Sequence, residues 1–149
     1  SPEAKADVAR CTPYKFVRQA GVIFVCCADL TVITAREVRV SELFKEGAFD
    51  GVEMDMSDPA AVAPAMDENM IQAYLSLNTA IAIEHVVLKA VDLQLGSCWI
   101  GRFDREKLRT LLGLENHFYP VALLPVGYPA QVPPPRPRFD IDKYILKII

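Results

Sequence analysis

The most regular apolar pattern in the chain runs from Asp67 to Leu93, which contains neither glycine nor proline. As one helix it would span about 40 Å. Apolar residues fall on almost every face of it: Ile71, Tyr74, Leu75, Leu77, Ile81, Ile83, Val86, Val87, Leu88 and Val91. A helix apolar all round is buried all round, and one domain of this size rarely covers such a helix alone. The pattern therefore predicts a central helix at a subunit interface. Two shorter apolar runs have strand length. Gly21 to Ala28, stopped by Asp29, is continuous and β-branched, which predicts a strand buried on both faces. Tyr119 to Gly127, reading YPVALLPVG, predicts a second buried strand with Pro125 near its end.

The polar positions between these runs supply starts and stops. Ser1-Pro2-Glu3 reads as a helix start, with serine as N-cap and proline in the first turn, for a helix reaching about Arg10. Thr34 to Phe49 is amphipathic and predicts a surface helix or two short turns. Gly51 to Pro64, polar or small with prolines at 59 and 64, reads as a mobile loop. Leu95-Gly96 should end the long helix, and Ser97 to Phe103 should form a short connection. Asp104 should cap a further helix, Arg105 to Leu112, closed by Gly113. Beyond Gly127, Pro129, Pro133, Pro134, Pro135 and Pro137 forbid helix and favour extended, partly polyproline II backbone. The apolar end, Phe139 to Ile149, should pack on something, with a partner subunit the natural candidate.

Composition sharpens this picture. The hydrophobic fraction is 52% of 149 residues, which favours an oligomer interface over a free monomer. Net charge is −3 with basic and acidic residues well mixed, and no basic tract is present, so nucleic-acid binding has no electrostatic support. Cys11, Cys26, Cys27 and Cys98 form no CxxC pair, and the only histidines are His85 and His117. The cysteines read as small core residues in a reducing compartment, and no metal site is expected. The opening residues show neither a basic nor an apolar leader region, and Glu84 and His85 lie inside the long apolar stretch. A soluble, cytoplasmic protein is expected, without membrane association.

No hydrolytic or nucleophilic constellation stands out. On a helix Glu84 and His85 diverge by about 100° and cannot serve one site as a pair. Two segments do suggest ligand chemistry. In Leu95-Gly96-Ser97-Cys98-Trp99-Ile100-Gly101-Arg102-Phe103, two glycines bracket the only tryptophan and let backbone approach a planar ligand. In Arg136-Pro137-Arg138, two guanidinium groups on a stiff segment can fork onto phosphate oxygens. Each is weak alone.

Their order is more specific. A long buried helix, LGSCWIG, a capped short helix, PVALLPVGYP and RPR together resemble the nitroreductase family of flavoproteins. The match runs from about Phe16 to Arg138 and includes Phe16 to Ala20 ahead of the VIFVCCADL strand. The resemblance implies an α+β fold, a mainly antiparallel sheet flanked by helices, in an intertwined homodimer with the long helix at its interface. It takes residues 1–149 as one such domain without the family's N-terminal portion, with 129–149 as an extended C-terminal arm reaching over the other subunit. It implies FMN as cofactor, with backbone at Trp99, Ile100 and Gly101 against the isoalloxazine ring. The Gly101 amide would donate toward the flavin N5–O4 edge, and Arg136 and Arg138 would bind the 5′-phosphate. The implied activity is two-electron reduction of a nitroaromatic, quinone or similar small acceptor, with NAD(P)H as co-substrate and no catalytic side chain named. A non-catalytic flavin-binding or interaction protein that kept the dimeric fold is the alternative. The family's Arg-x-Ser-x-Arg and Pro-Ser-x-x-Asn-x-Gln-Pro-Trp motifs do not occur among these residues, so the resemblance assigns only part of a flavin site.

Overall fold

The computed structural model describes residues 1–52, 66–145 and 147. Nearly all of the loop expected between Gly51 and Pro64 lies outside them.

Side-chain caps start helices where the sequence suggests at Ser1, Asp67 and Asp104. In α1 (Pro2–Ala9) the Ser1 hydroxyl accepts the Ala4 amide at 3.2 Å, with proline in the first turn. After a 3-10 turn (Lys15–Gln19) comes β1 (Val22–Asp29), and the Asp29 carboxylate ends it by accepting the Thr31 amide and hydroxyl at 2.9 and 2.6 Å. Those bonds hold the Asp29 carboxyl below its ordinary pKa, the hydroxyl bond weighing most. A second 3-10 turn (Leu30–Ala35) leads into α2 (Arg36–Lys45), in the amphipathic segment read as a surface helix. Asp67 caps α3 (Glu68–Asp92) through the Met70 amide at 2.8 Å, and Asp104 caps α4 (Arg105–Leu112) through the Lys107 amide at 3.0 Å.

The end of α3 differs from the sequence reading. Gly96 does not stop the helix; it lies in a short strand, β2 (Gly96–Ser97). The helix stops two residues earlier, where Gln94 takes φ 59°. The Leu95 amide returns to the Ala90 carbonyl at 2.8 Å and the Gln94 amide to Val91 at 2.9 Å. This is the Schellman pattern with a non-glycine residue in its left-handed position. At α4 the same pattern uses Gly113, φ 61°, with the Leu114 amide on the Arg109 carbonyl at 3.0 Å.

Three antiparallel strands form one sheet in the order β1-β3-β2, with β3 (Phe118–Gly127) at its centre. Residues of β3 alternate between two cores. Leu123 enters one with Val8, Cys11, Val17, Ile100, Phe103 and Leu108. Ala122, Leu124 and Val126 enter the other with Ile83 and Ala90 of α3. A strand walled on both sides explains why its sequence is a near-continuous apolar run. Prolines are rare in central strands because they donate nothing to the ladder. Here Pro120 lies at a bulge, where the pairing steps from Cys26 opposite Ala122 to Cys27 opposite Pro120. Each proline carbonyl finds a donor: Arg105 Nε at 3.0 Å from Pro120, and the Cys98 amide at 3.2 Å from Pro125.

The other apolar run is a correction. β1 is an edge strand and is not buried on both faces: Val22 and Phe24 are each 43% exposed. The described residues do not cover α3 all round, in keeping with the expectation that one domain of this size rarely covers such a helix alone. Leu75, Ile83 and Ala90 are buried, Ile83 and Ala90 against the sheet. Met70, Tyr74, Leu77, Ile81, Leu88 and Val91 are exposed, between 49% and 65%. With the exposed Glu84 they recur at alternating steps of four and three residues, the spacing of a heptad seam. By length and composition alone α3 is also long and apolar enough to cross a membrane. Its buried stripe against the sheet and its midpoint pair Glu84 and His85 fit a helix of a globular domain instead.

From 128 to 140 the chain is exposed and forms no helix or strand, and a 3-10 turn (Ile141–Lys143) follows. Phe139, Ile141 and Tyr144 remain 66% to 68% exposed, so this segment does not pack on its own domain.

Candidate functional site

The segment between β2 and α4 is positioned from both ends. Upstream, Ile100 forms an isolated antiparallel bridge with Leu123, donating to its carbonyl at 2.9 Å and accepting its amide at 3.0 Å. The Ile100 side chain is buried in the first core, so this residue is an anchor. Both of its main-chain groups are engaged, and its N–H is not available to donate to a ligand. Trp99 is 40% exposed and Gly101 is exposed.

Gly101 is unusual in what it does not need. Its φ is not positive, and a Cβ built on it would meet nothing within 4 Å. Neither turn geometry nor packing within this chain requires glycine there. Its N–H has no partner among the described residues. That N–H shares a trans peptide with the Ile100 carbonyl, which points at Leu123 in the sheet. In a trans peptide N–H and C=O point in opposite directions, so the Gly101 N–H is aimed away from Leu123 and its strand. Gly96 plays a different part. A Cβ there would lie 3.3 Å from Pro129 Cβ, so its smallness lets the chain leave β3 beside β2.

Downstream, three bonds tie the segment to the C-terminal end of α1. Thr12 Oγ1 donates to the Arg102 carbonyl at 2.9 Å, the Asp104 amide donates to the Cys11 carbonyl at 2.7 Å, and Lys107 Nζ donates to the Arg10 carbonyl at 3.0 Å. The Arg105 guanidinium lies 4.9 Å from the Phe103 ring centre and 5.5 Å from that of Tyr119. Sequence reasoning passed over Thr12 and Cys11, because the Thr12–Arg102 bond joins residues 90 positions apart and no local motif marks it.

Arg136 and Arg138 are exposed on the segment after β3 and enter no hydrogen bond or ion pair among the described residues. Nor does any such bond join them to the Trp99–Gly101 segment. The cysteines are not uniformly core. Cys11 is buried, Cys26 and Cys27 are partly so, and Cys98 is exposed. Burial pushes the Cys11, Cys26 and Cys27 thiols above the ordinary range, which keeps them protonated near neutral pH.

Comparison with known proteins places this arrangement. The profile of the Nitroreductase family matches residues 9–128. A protein of Methanothermobacter thermautotrophicus, provisionally named NADH dehydrogenase/NAD(P)H nitroreductase, is 31% identical over 124 residues, covering 78% of this chain and 62% of its own length. An NADH dehydrogenase of Thermus thermophilus is 29% identical over 132 residues, 87% of this chain and 62% of its own. The chain thus spans less than two thirds of these relatives. Among solved structures, a nitroreductase family protein from Streptococcus pneumoniae has a TM-score of 0.73 at 23% identity, over 99% of this chain and 76% of that one. A provisionally assigned nitroreductase from Exiguobacterium sibiricum, solved in complex with FMN, has a TM-score of 0.76 at 16% identity, over 97% and 71%. Identities this low carry the fold alone, but the family profile spans four fifths of the chain and both cores of the sheet. On that match the chain belongs to the nitroreductase family.

Proposed function

We propose that this chain forms part of an FMN-dependent oxidoreductase that passes two electrons from NAD(P)H to a nitroaromatic, quinone or similar small acceptor. Gly101 carries the reading. An unpartnered amide aimed outward, with open space where a side chain would stand, suits the edge of a planar heteroaromatic ring that needs a donor. The neighbouring residues divide the remaining work. Ile100 holds the peptide plane through Leu123, and Trp99 offers exposed aromatic surface beside it. Arg136 and Arg138, both without partners here, are free to take a phosphate dianion through charge-assisted hydrogen bonds. Bound FMN supplies the redox chemistry, and the protein supplies binding, orientation and electrostatics.

The exposed seam of α3, with Val22 and Phe24 of β1, supports a homodimer in which two copies of this face cover each other. The relatives' names support the oxidoreductase class, and the FMN complex of a structural neighbour supports the cofactor.

Gly101→Val tests the reading directly. FMN occupancy should fall while thermal unfolding of the flavin-free protein stays close to wild type, since the position has open space where its Cβ would stand. Equal loss of stability with and without flavin would assign the glycine to the fold and end the flavin reading. The wild-type protein with FMN should bleach with NADPH and recover on adding a quinone. Flavin binding without bleaching would instead favour a non-catalytic binding protein.

A further inference from the structure

We propose that Thr12 is a positioning residue for the Gly101 amide, acting through the Arg102 carbonyl. The inference rests on the reading of Gly101 as a flavin donor and goes beyond it to the residue that holds the donor in place. Upstream, the Ile100 carbonyl is held by the Leu123 amide at 3.0 Å, which sets the plane of the peptide carrying the Gly101 N–H. Glycine follows immediately, and glycine leaves its own dihedral angles weakly restrained. No neighbour stands within 4 Å of the Cβ position of Gly101 to limit them. The restraint must come from the next fixed point along the chain, and that is Arg102, whose carbonyl accepts from Thr12 Oγ1 at 2.9 Å. The Thr12 oxygen also accepts the Tyr14 amide at 3.5 Å, so the hydroxyl is held by the turn after α1 and is not a free rotor. Two residues further, the Asp104 amide on the Cys11 carbonyl at 2.7 Å fixes the same two segments together.

The Gly101 N–H is therefore suspended between the sheet on one side and the α1 turn on the other. A donor fixed before the ligand arrives does not have to be ordered by it, which is the basis of electrostatic preorganisation. Thr12 touches neither flavin nor substrate in this arrangement; its effect passes through the main chain of Arg102 and Gly101.

Three proteins test this: wild type, Thr12→Val, which keeps the shape and loses the hydroxyl, and Thr12→Ser, which restores it. Backbone relaxation of the Gly101 N–H in the flavin-free protein should give an order parameter near about 0.85 for wild type and Thr12→Ser, falling toward about 0.6 for Thr12→Val. FMN should bind Thr12→Val more weakly by between about twofold and tenfold, the range expected for one modest hydrogen bond, with Thr12→Ser close to wild type. The flavin midpoint potential should move in Thr12→Val and return in Thr12→Ser, a change that a simple loss of fold stability would not produce. Unchanged Gly101 order in Thr12→Val overturns the inference, whether or not flavin binds. So does a serine variant that behaves like the valine variant. A wild-type protein that keeps Gly101 rigid and lets Thr12→Val loosen it, yet has no affinity for FMN, would uphold the clamp and overturn the flavin reading instead.

Discussion

Glycines with the same letter in the sequence have different jobs here, and substitutions should separate them. At Gly127 a Cβ would stand 2.9 Å from the Gly21 nitrogen, a backbone atom that cannot step aside cheaply. Gly127→Ala should destabilise the protein by about 1–3 kcal/mol in urea unfolding, through overpacking at the end of β3. Gly101→Ala should change stability by less than about 0.5 kcal/mol. The arginines are the complementary case, exposed side chains without a partner among the described residues. Replacing both Arg136 and Arg138 by glutamine should weaken FMN binding by about 2–4 kcal/mol, since charged hydrogen bonds contribute more than neutral ones. Riboflavin lacks the phosphate and should bind wild type and variant equally in a fluorescence titration. An equal fall for riboflavin would remove these arginines from the phosphate role.

Among the elements, helix termination offers the clearest contrast. α3 and α4 end in the same hydrogen-bond pattern, but the left-handed residue is Gln94 in one and Gly113 in the other. A residue with a Cβ pays roughly 1 kcal/mol or more to sit there. Gln94→Gly should therefore stabilise the protein by up to about 1 kcal/mol, and Gly113→Ala should destabilise it by about the same. Both are read from thermal or urea unfolding. If Gln94→Gly is destabilising, the glutamine side chain has a role beyond the turn. No crowding complicates the second variant, because a Cβ at Gly113 has nothing within 4 Å.

At the scale of the whole molecule, the main feature is apolar surface that the described residues leave uncovered. The seam Met70, Tyr74, Leu77, Ile81, Leu88 and Val91 continues along α3 with Ile81 near its middle. Exposed apolar patches of this extent mark interaction surfaces. If two copies meet along this face, Ile81→Asp buries an unpaired charge at the centre of the contact, a cost of several kcal/mol. Sedimentation should show a dimer for wild type at micromolar concentration, and loss of that species for Ile81→Asp. A well-folded wild-type monomer under those conditions would end the dimer proposal. The exposed Phe139, Ile141 and Tyr144 raise the same question for the segment after β3. Deleting 139–149 should then weaken the dimer without lowering the stability of either core.

What the sequence determined by itself is what short-range chemistry controls. Serine or aspartate at a helix start, glycine after α4, and an apolar run of strand length act over a few residues, and all of these lie where they were expected. The family resemblance rested on the order of such signals, which is a linear property and survives without a structure. Hydrophobicity alone could not say which apolar residue is covered by its own chain. The runs in β1 and β3 look alike, yet sheet order makes one an edge strand and the other the wall between two cores. Nor could it find the end of α3, where Leu95 packs into the second core beside Leu124 and Val126 of β3 and Gln94, not a residue at Gly96, takes the left-handed position. At the candidate site the sequence marked Trp99, Ile100 and Gly101 as a unit, and folding divided them into exposed surface, anchor and an amide without a partner among the described residues. That division, and the hold of Thr12 on Arg102, depend on contacts between residues far apart in the chain. Only closure of the fold brings those residues together, so no local pattern could have carried them.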